Sequence, residues 1–164
     1  MIVIGIVGWK NSGKTRLIKE LIKYFSSKKY KVATIKHAHH NFEIDKVGTD
    51  SFAHRKAGAN EILISSSKRW AKINEISYRN ELKLNDLLTK IENSEIVLVE
   101  GFKKENHKKI EVVRTSETKK KPLYSSLKNV IALVSNEKLN INIPIFKDSE
   151  FEKIAKFIIS IKNK

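Results

Sequence analysis

Cysteine is absent from the 164 residues. That excludes disulfides and thiolate-held metals, leaves oxygen donors for any bound ion, and fits a reducing compartment. Long apolar runs are also missing. The N-terminal run, Ile2 to Val7, has no basic residue before it and stops at Gly8, so neither a membrane span nor a secretory leader is expected, and a cytoplasmic location is the default. No basic stretch is interleaved with aromatics in the manner that stacks bases, so nucleic acid is not the expected partner. Arginine is scarce: Arg16, Arg55, Arg69, Arg79 and Arg114 are the only five.

What is present describes a folded chain. A hydrophobic share of 40% with 31% charged residues is ordinary for a globular protein, and the length suits one domain over residues 1–164. The formal charge of +15 favours anionic partners such as phosphates and nucleotides. Lysine carries most of it and is spread along the chain, as a generic solvated surface would also have it.

Ile2-Val3-Ile4-Gly5-Ile6-Val7 is unbroken by polar residues, the mark of a strand buried on both faces of a parallel sheet. Leu17, Ile18, Leu21, Ile22 and Phe25 recur at helical spacing and predict an amphipathic helix from Lys14 to Ser26. Further strands are expected at Lys31 to Ile35, Glu61 to Ser65, Glu95 to Gly101, Ile110 to Val113 and Val130 to Val134, with an edge strand at Trp70 to Ile76. Helices are expected at Ser51 to Ala57, ended by Gly58, at Leu84 to Ile91 with Asn85 or Asp86 near its start, and at Ser149 to Ile161. Lys119-Lys120-Lys121-Pro122 reads as an exposed loop. Strands alternating with helices predict an α/β fold whose ligand lies at the carboxyl ends of the strands.

Gly8-Trp9-Lys10-Asn11-Ser12-Gly13-Lys14-Thr15 lies between the first strand and the first helix. In that position Gly-x-x-x-x-Gly-Lys-Thr wraps backbone N–H groups around a phosphate at the positive end of the helix dipole. Gly8 and Gly13 permit the tight turn, Asn11 and Ser12 lie within it, Lys14 neutralises the terminal phosphates, and the Thr15 hydroxyl can hold Mg²⁺. Glu100 ends the strand Ile96 to Val99, where an acid holds Mg²⁺ directly or through water; a surface or capping carboxylate is the alternative. Asp45-Lys46-Val47-Gly48 has the Asp-x-x-Gly form in which the acid reads the metal and the Gly48 N–H reads the γ-phosphate. A polar turn competes with that reading, and Asp50 offers the same chemistry.

Lys36-His37-Ala38-His39-His40 has the imidazoles of a metal cluster, but the adjacent lysine opposes a cation. Anion or substrate contact by Lys36, His37 and His40 is the favoured reading, with structural packing next, and His54 and Arg55 can face the same loop. Ser65-Ser66-Ser67-Lys68-Arg69 ends a strand and offers hydroxyls and the Arg69 cation to an anion, or else is a solvated turn.

Together these segments resemble the MobB family, the molybdopterin-guanine dinucleotide biosynthesis adapter proteins. The resemblance is carried by Gly8 to Thr15, Thr34 to His40, Asp45 to Ser51, Arg55 to Ala59 and Leu98-Val99-Glu100-Gly101-Phe102-Lys103. It implies a P-loop NTPase-type three-layer sandwich with a mostly parallel central sheet. It implies a GTP-binding protein with weak Mg²⁺-dependent GTPase activity at most, which assists the guanylyltransferase MobA in converting molybdopterin to molybdopterin guanine dinucleotide. A homodimer is implied with it, and on the same analogy Lys14 and Thr15 serve phosphate and Mg²⁺, Glu100 serves Mg²⁺, and the loop from His37 to Asp50, with Asp45 and Asp50 as its acids, responds to nucleotide or touches molybdopterin.

Two departures matter. Arg16 stands where a second Thr is usual, and no Asn-Lys-x-Asp or Thr-Lys-x-Asp segment supplies the usual guanine-reading acid. The Ser77-Tyr78-Arg79-Asn80 turn is a substitute, with Arg79 as its cation. The competing function is a P-loop small-molecule kinase. Its lid would bring several arginines to the transferring phosphoryl group, and the five here do not gather in one segment.

Overall fold

A computed structural model of the chain describes residues 1–38, 42–76 and 81–161. They gather into two compact units: Met1–His37 with Lys83–Lys164, and Ala38–Leu82.

The first unit is built on a six-stranded sheet in the order β2-β5-β1-β6-β7-β8. Its strands are β1 (Ile2–Val7), β2 (Val32–Lys36), β5 (Ile96–Glu100), β6 (Lys109–Val112), β7 (Val130–Val134) and β8 (Ile145–Phe146), and every pairing is parallel. The centre is β1, flanked by β5 and β6. Register sets Glu100 level with Ile6 of β1 and with Lys36 of β2.

A central parallel strand must be apolar on both faces. On one face Ile2, Ile4 and Ile6 pack with Leu17, Ile18, Leu21 and Phe25 of α1 (Lys14–Ser27) and with Ile154, Ala155 and Ile158 of α5 (Phe151–Ser160). On the other, Val97 and Val99 pack with Ile35, Phe102 and Leu84 of α3 (Leu84–Leu88). Helix α1 has no side-chain cap. Burial of its four core residues, each contributing about 1.5–3 kcal/mol, holds it instead. The result is a P-loop NTPase-type three-layer fold.

Helix α3 ends before the apolar stripe that runs to Ile91. Lys90 and Ile91 donate to Leu87 and Leu88, the tighter three-residue pattern, and Ile91 still reaches the core. The start agrees with expectation: Asp86, in the first turn, turns back to accept the Lys83 N–H at 3.0 Å. Two elements, α4 (Thr115–Thr118) and β8, are too short to show periodicity in sequence.

The second unit comprises α2 (Asp50–Lys56), β3 (Glu61–Ser65) and β4 (Trp70–Asn74). The last two pair antiparallel as a sheet of their own. Trp70 to Ile76, expected as an edge strand, is therefore one half of a hairpin and belongs to no larger sheet. Ile62 and Ile73 face each other and are buried, whereas Leu63 and Trp70 are 67% and 68% exposed. Gly58, at φ +105°, ends α2 as its sequence position predicts. Among the described residues no helix is long and apolar enough to cross a membrane.

Candidate functional site

The chain leaves β1 at Val7 and enters α1 at Lys14, so the intervening loop lies at the carboxyl end of the central strand. Its backbone needs conformations that most residues avoid. Gly8 and Gly13 have φ of +149° and +95°, and Asn11 has φ +66°. A Cβ on Gly8 would lie 2.6 Å from both Ser12 Oγ and the Val112 carbonyl. Asn is the non-glycine residue best suited to the left-handed region. The loop is thus a turn whose tightness its own residue types allow, with the N–H groups of the first turn of α1 lacking side-chain caps. Such groups bind anions. Ser12 is 1% exposed and its hydroxyl has no hydrogen-bond partner among the described residues, so polar capacity inside the loop is unspent.

Lys14 reaches across this turn and donates to the Trp9 carbonyl at 2.7 Å. Burial lowers its pKa from 10.5; Glu100 opposes that, while Lys103 and Lys36 add to it. Glu100 is largely covered, and Lys36 Nζ lies 4.0 Å from its Oε2. Lys14 thus feels one carboxylate and two further lysines at the mouth of the loop, an arrangement that a polyphosphate with a bound divalent cation would balance. Thr15 is exposed at the start of α1. With Glu100 it offers a small set of oxygen donors. Mg²⁺ commonly takes one or two protein oxygens and completes its shell with phosphate and water, so these residues fit the ion.

The turn after Glu100 is strained in a way that fixes His37. Gly101 and Phe102 have φ of +94° and +47°. A Cβ on Gly101 would lie 2.7 Å from His37 Cβ. The His37 ring stacks on Phe102 with centroids 4.6 Å apart, and its backbone N–H donates to the Glu100 carbonyl at 2.9 Å. The packing reading of His37 has this physical content.

Sequence reasoning passed over three features of this site. Trp9 Nε1 donates to the Lys121 carbonyl at 2.8 Å, and Lys103 Nζ and Lys120 Nζ both lie over the indole, 4.8 and 4.5 Å from its centroid. The exposed lysine loop is thereby drawn against the phosphate loop. Glu111, buried in β6, accepts the Leu123 and Tyr124 N–H groups at 2.6 and 2.7 Å and anchors the far end of that loop; burial raises its pKa despite those bonds. Finally, Arg114 lies against Gly13 and pairs with Asp148, to which Arg16 also comes within 3.7 Å. Two arginines that are remote in sequence do meet.

The remaining candidates belong to the second unit. Asp45 is held by Arg55 in a two-pronged pair, Nε to Oδ2 at 3.1 Å and Nη2 to Oδ1 at 2.8 Å. Those hydrogen bonds hold its carboxyl below the usual aspartate range. Arg55 does face the loop before α2, as expected, and lies over the Phe52 ring. Gly48, at φ +90°, meets nothing within 4 Å of a Cβ, and Asp50 is exposed in the first turn of α2. Ser65 to Arg69 is the hairpin turn between β3 and β4 and not the carboxyl end of a parallel strand. Ser66 Oγ accepts the Lys68 and Arg69 N–H groups there, and Arg69 is exposed. His40 and Arg79 lie outside the described residues. Among the described residues no group of three or more His, Cys, Asp or Glu is placed to hold a metal.

The MobB family model, described as molybdopterin guanine dinucleotide synthesis protein B, matches residues 3–136. The molybdopterin-guanine dinucleotide biosynthesis adapter protein of Escherichia coli is 33% identical over 159 residues, 96% of this chain and 91% of that protein. Its namesake in Haemophilus influenzae is 34% identical over 158 residues, 95% of this chain and 86% of that protein. A crystal structure of molybdopterin-guanine biosynthesis protein B (mobB) superposes with a TM-score of 0.76 at 26% identity, covering 98% of this chain and 99% of the other.

Proposed function

The chain belongs to the MobB family, and on that footing we propose that it is a GTP-binding adapter of molybdenum cofactor biosynthesis. In this reading it assists a MobA-type guanylyltransferase in converting molybdopterin to molybdopterin guanine dinucleotide, in the cytoplasm, with slow Mg²⁺-dependent GTP hydrolysis at most. One observation carries the nucleotide part: Lys14 closes the loop over the helix start while Glu100, Lys36 and Lys103 converge on it from the adjoining strand ends. That is a cradle for a polyphosphate and its cation.

Mg²⁺ is assigned to Thr15 and Glu100. A homodimer is supported by the hairpin, whose Leu63 and Trp70 present apolar surface that a second copy would cover. Contact with molybdopterin is assigned to the loop from His37 to Asp50.

The test compares GTP with ATP in the presence of Mg²⁺, on the intact protein and on Lys14→Ala. GTP is expected to bind in preference, and the variant to lose about tenfold to hundredfold in affinity, as removal of a charged hydrogen-bond donor implies. Equal binding of ATP, or rapid phosphate transfer to a small alcohol, would overturn the adapter reading.

A further inference from the structure

The metal side and the base side of a nucleotide lie at opposite ends of it, and the sheet order separates the surfaces that can serve them. Glu100 ends β5, on one side of β1, with Lys36 of β2 beyond it. A triphosphate lying in the loop with its terminal end towards Glu100 sends its ribose and base the other way, over the carboxyl ends of β6, β7 and β8. Three segments come together there: Val113-Arg114 after β6, Ser135-Asn136-Glu137 after β7, and Lys147-Asp148 after β8.

Their polar contacts form a connected set. Arg114 lies along the phosphate loop, its Nη2, Cζ and Nε 3.2, 3.4 and 3.5 Å from where a Gly13 Cβ would be. Its Nη2 donates to Asp148 Oδ2 at 2.9 Å. Arg16 Nη1, from the first turn of α1, lies 3.7 Å from the same oxygen. The Asp148 backbone N–H donates to Asn136 Oδ1 at 3.3 Å. Two arginines thus hold the carboxylate through Oδ2, Asn136 holds the backbone, and the side chain is three-quarters covered, yet Oδ1 accepts no hydrogen bond among the described residues.

Glu137, the other acid of this cluster, is already spent. One oxygen accepts the Thr115 hydroxyl, and the other accepts the Ser116 N–H and hydroxyl at 3.0 and 3.1 Å. It ties α4 to the end of β7 and has no edge left for a base.

We propose that Asp148, positioned by Arg114 against the phosphate loop, reads the guanine base in place of the missing Asn-Lys-x-Asp acid. Guanine presents two adjacent donors, N1–H and the 2-amino group, and an ionised carboxylate is an acceptor-only group that can meet them with the open Oδ1 and the remaining lone pair of Oδ2. Adenine presents an acceptor at N1, which a carboxylate repels. Arg114 is a positioning residue here. This assignment rests on the GTP-binding reading above.

The experiment measures affinity for GTP, ITP, XTP and ATP, with Mg²⁺, on the wild type and on Asp148→Asn. Inosine lacks the 2-amino donor, and xanthine carries a carbonyl in its place. The wild type is expected to prefer GTP over ITP and XTP by at least about tenfold. Asp148→Asn supplies an N–H donor where the carboxylate stood, so its preference is expected to invert towards XTP. A tether between loops has no reason to produce that inversion.

Wild type that binds XTP as well as GTP overturns the proposal without any variant, as does an Asp148→Asn protein that keeps the GTP preference or loses GTP without gaining XTP. Wild type that binds no GTP at all is a distinct result, because it removes the GTP-binding reading itself and this assignment with it.

Discussion

The indole nitrogen of Trp9 donates to the backbone carbonyl of Lys121 across 2.8 Å, which joins the phosphate loop to the chain that follows β6. The ring is flanked by the Lys103 and Lys120 cations, an arrangement that strengthens when water is excluded. Trp9 and Trp70 are the only tryptophans. Nucleotide in the loop changes the charge around Trp9, so its emission is expected to shift on GTP addition. Trp9→Phe should abolish the response and Trp70→Phe preserve it; a response surviving in Trp9→Phe would place the reporter elsewhere.

Glu100 is the carboxylate felt by Lys14 and lies 4.0 Å from Lys36 Nζ. Glu100→Gln keeps the shape and removes the charge. The Mg²⁺ concentration for half-maximal GTP binding is expected to rise several-fold, with a smaller change in affinity measured without the ion. Titrations of the two proteins that overlay would take Glu100 out of the metal site.

Gly101→Ala combines a left-handed backbone with a side chain that collides with His37. Strain of this kind costs about 1–3 kcal/mol, so the Tm is expected to fall by several degrees. Gly58→Ala has a similar φ, +105°, but meets nothing within 4 Å, and should cost less. Equal losses in calorimetry would mean that the His37 contact contributes nothing.

His107 lies over Gly5 in β1 with both ring nitrogens buried and without hydrogen-bond partners among the described residues. Burial, assisted by the Lys109 charge, lowers its pKa from 6.5 to about 4. Between those values the unfolded chain binds a proton that the folded one refuses, so stability falls as pH drops through this window. His107→Gln should flatten the dependence of Tm on pH between about 6.5 and 4. An unchanged slope would assign the acid sensitivity to other groups.

Leu63 and Trp70 share one face of the β3–β4 hairpin, since Ser65 pairs with Trp70 and side chains alternate along a strand. Leu63→Lys with Trp70→Glu is expected to convert the proposed dimer to a monomer in sedimentation. Nucleotide affinity of the first unit need not change. A double variant with the mass of the wild type would exclude this face as the interface.

Reading the chain alone located the phosphate loop, Glu100 and the order of most elements, because each is a local pattern. An apolar run that is buried on both sides of a sheet announces itself without its neighbours, and a glycine-rich turn between strand and helix has few uses. The same reasoning set the lysines from Lys119 to Lys121 aside as solvated. Nothing local to them mentions Trp9. It offered Asp45 to a metal, whereas the fold gives both its oxygens to Arg55, a partner on the next helix. Ser65 to Arg69 ends a β-run, which by itself does not reveal whether its partner is parallel or antiparallel; the fold makes it an exposed hairpin turn, the alternative that its hydroxyls and cations also allowed.

What this sequence determined by itself is therefore the glycine-containing turn between β1 and α1, the buried strands and the helix that follows, all set by backbone sterics and by the period of the apolar residues. Only the tertiary structure decided which side chains surround that turn. Arg114, Arg16 and Asp148 meet there because parallel strands carry the ends of β6 and β8 to one edge of the sheet. Proximity across a sheet depends on strand order, and strand order is a property of the whole core.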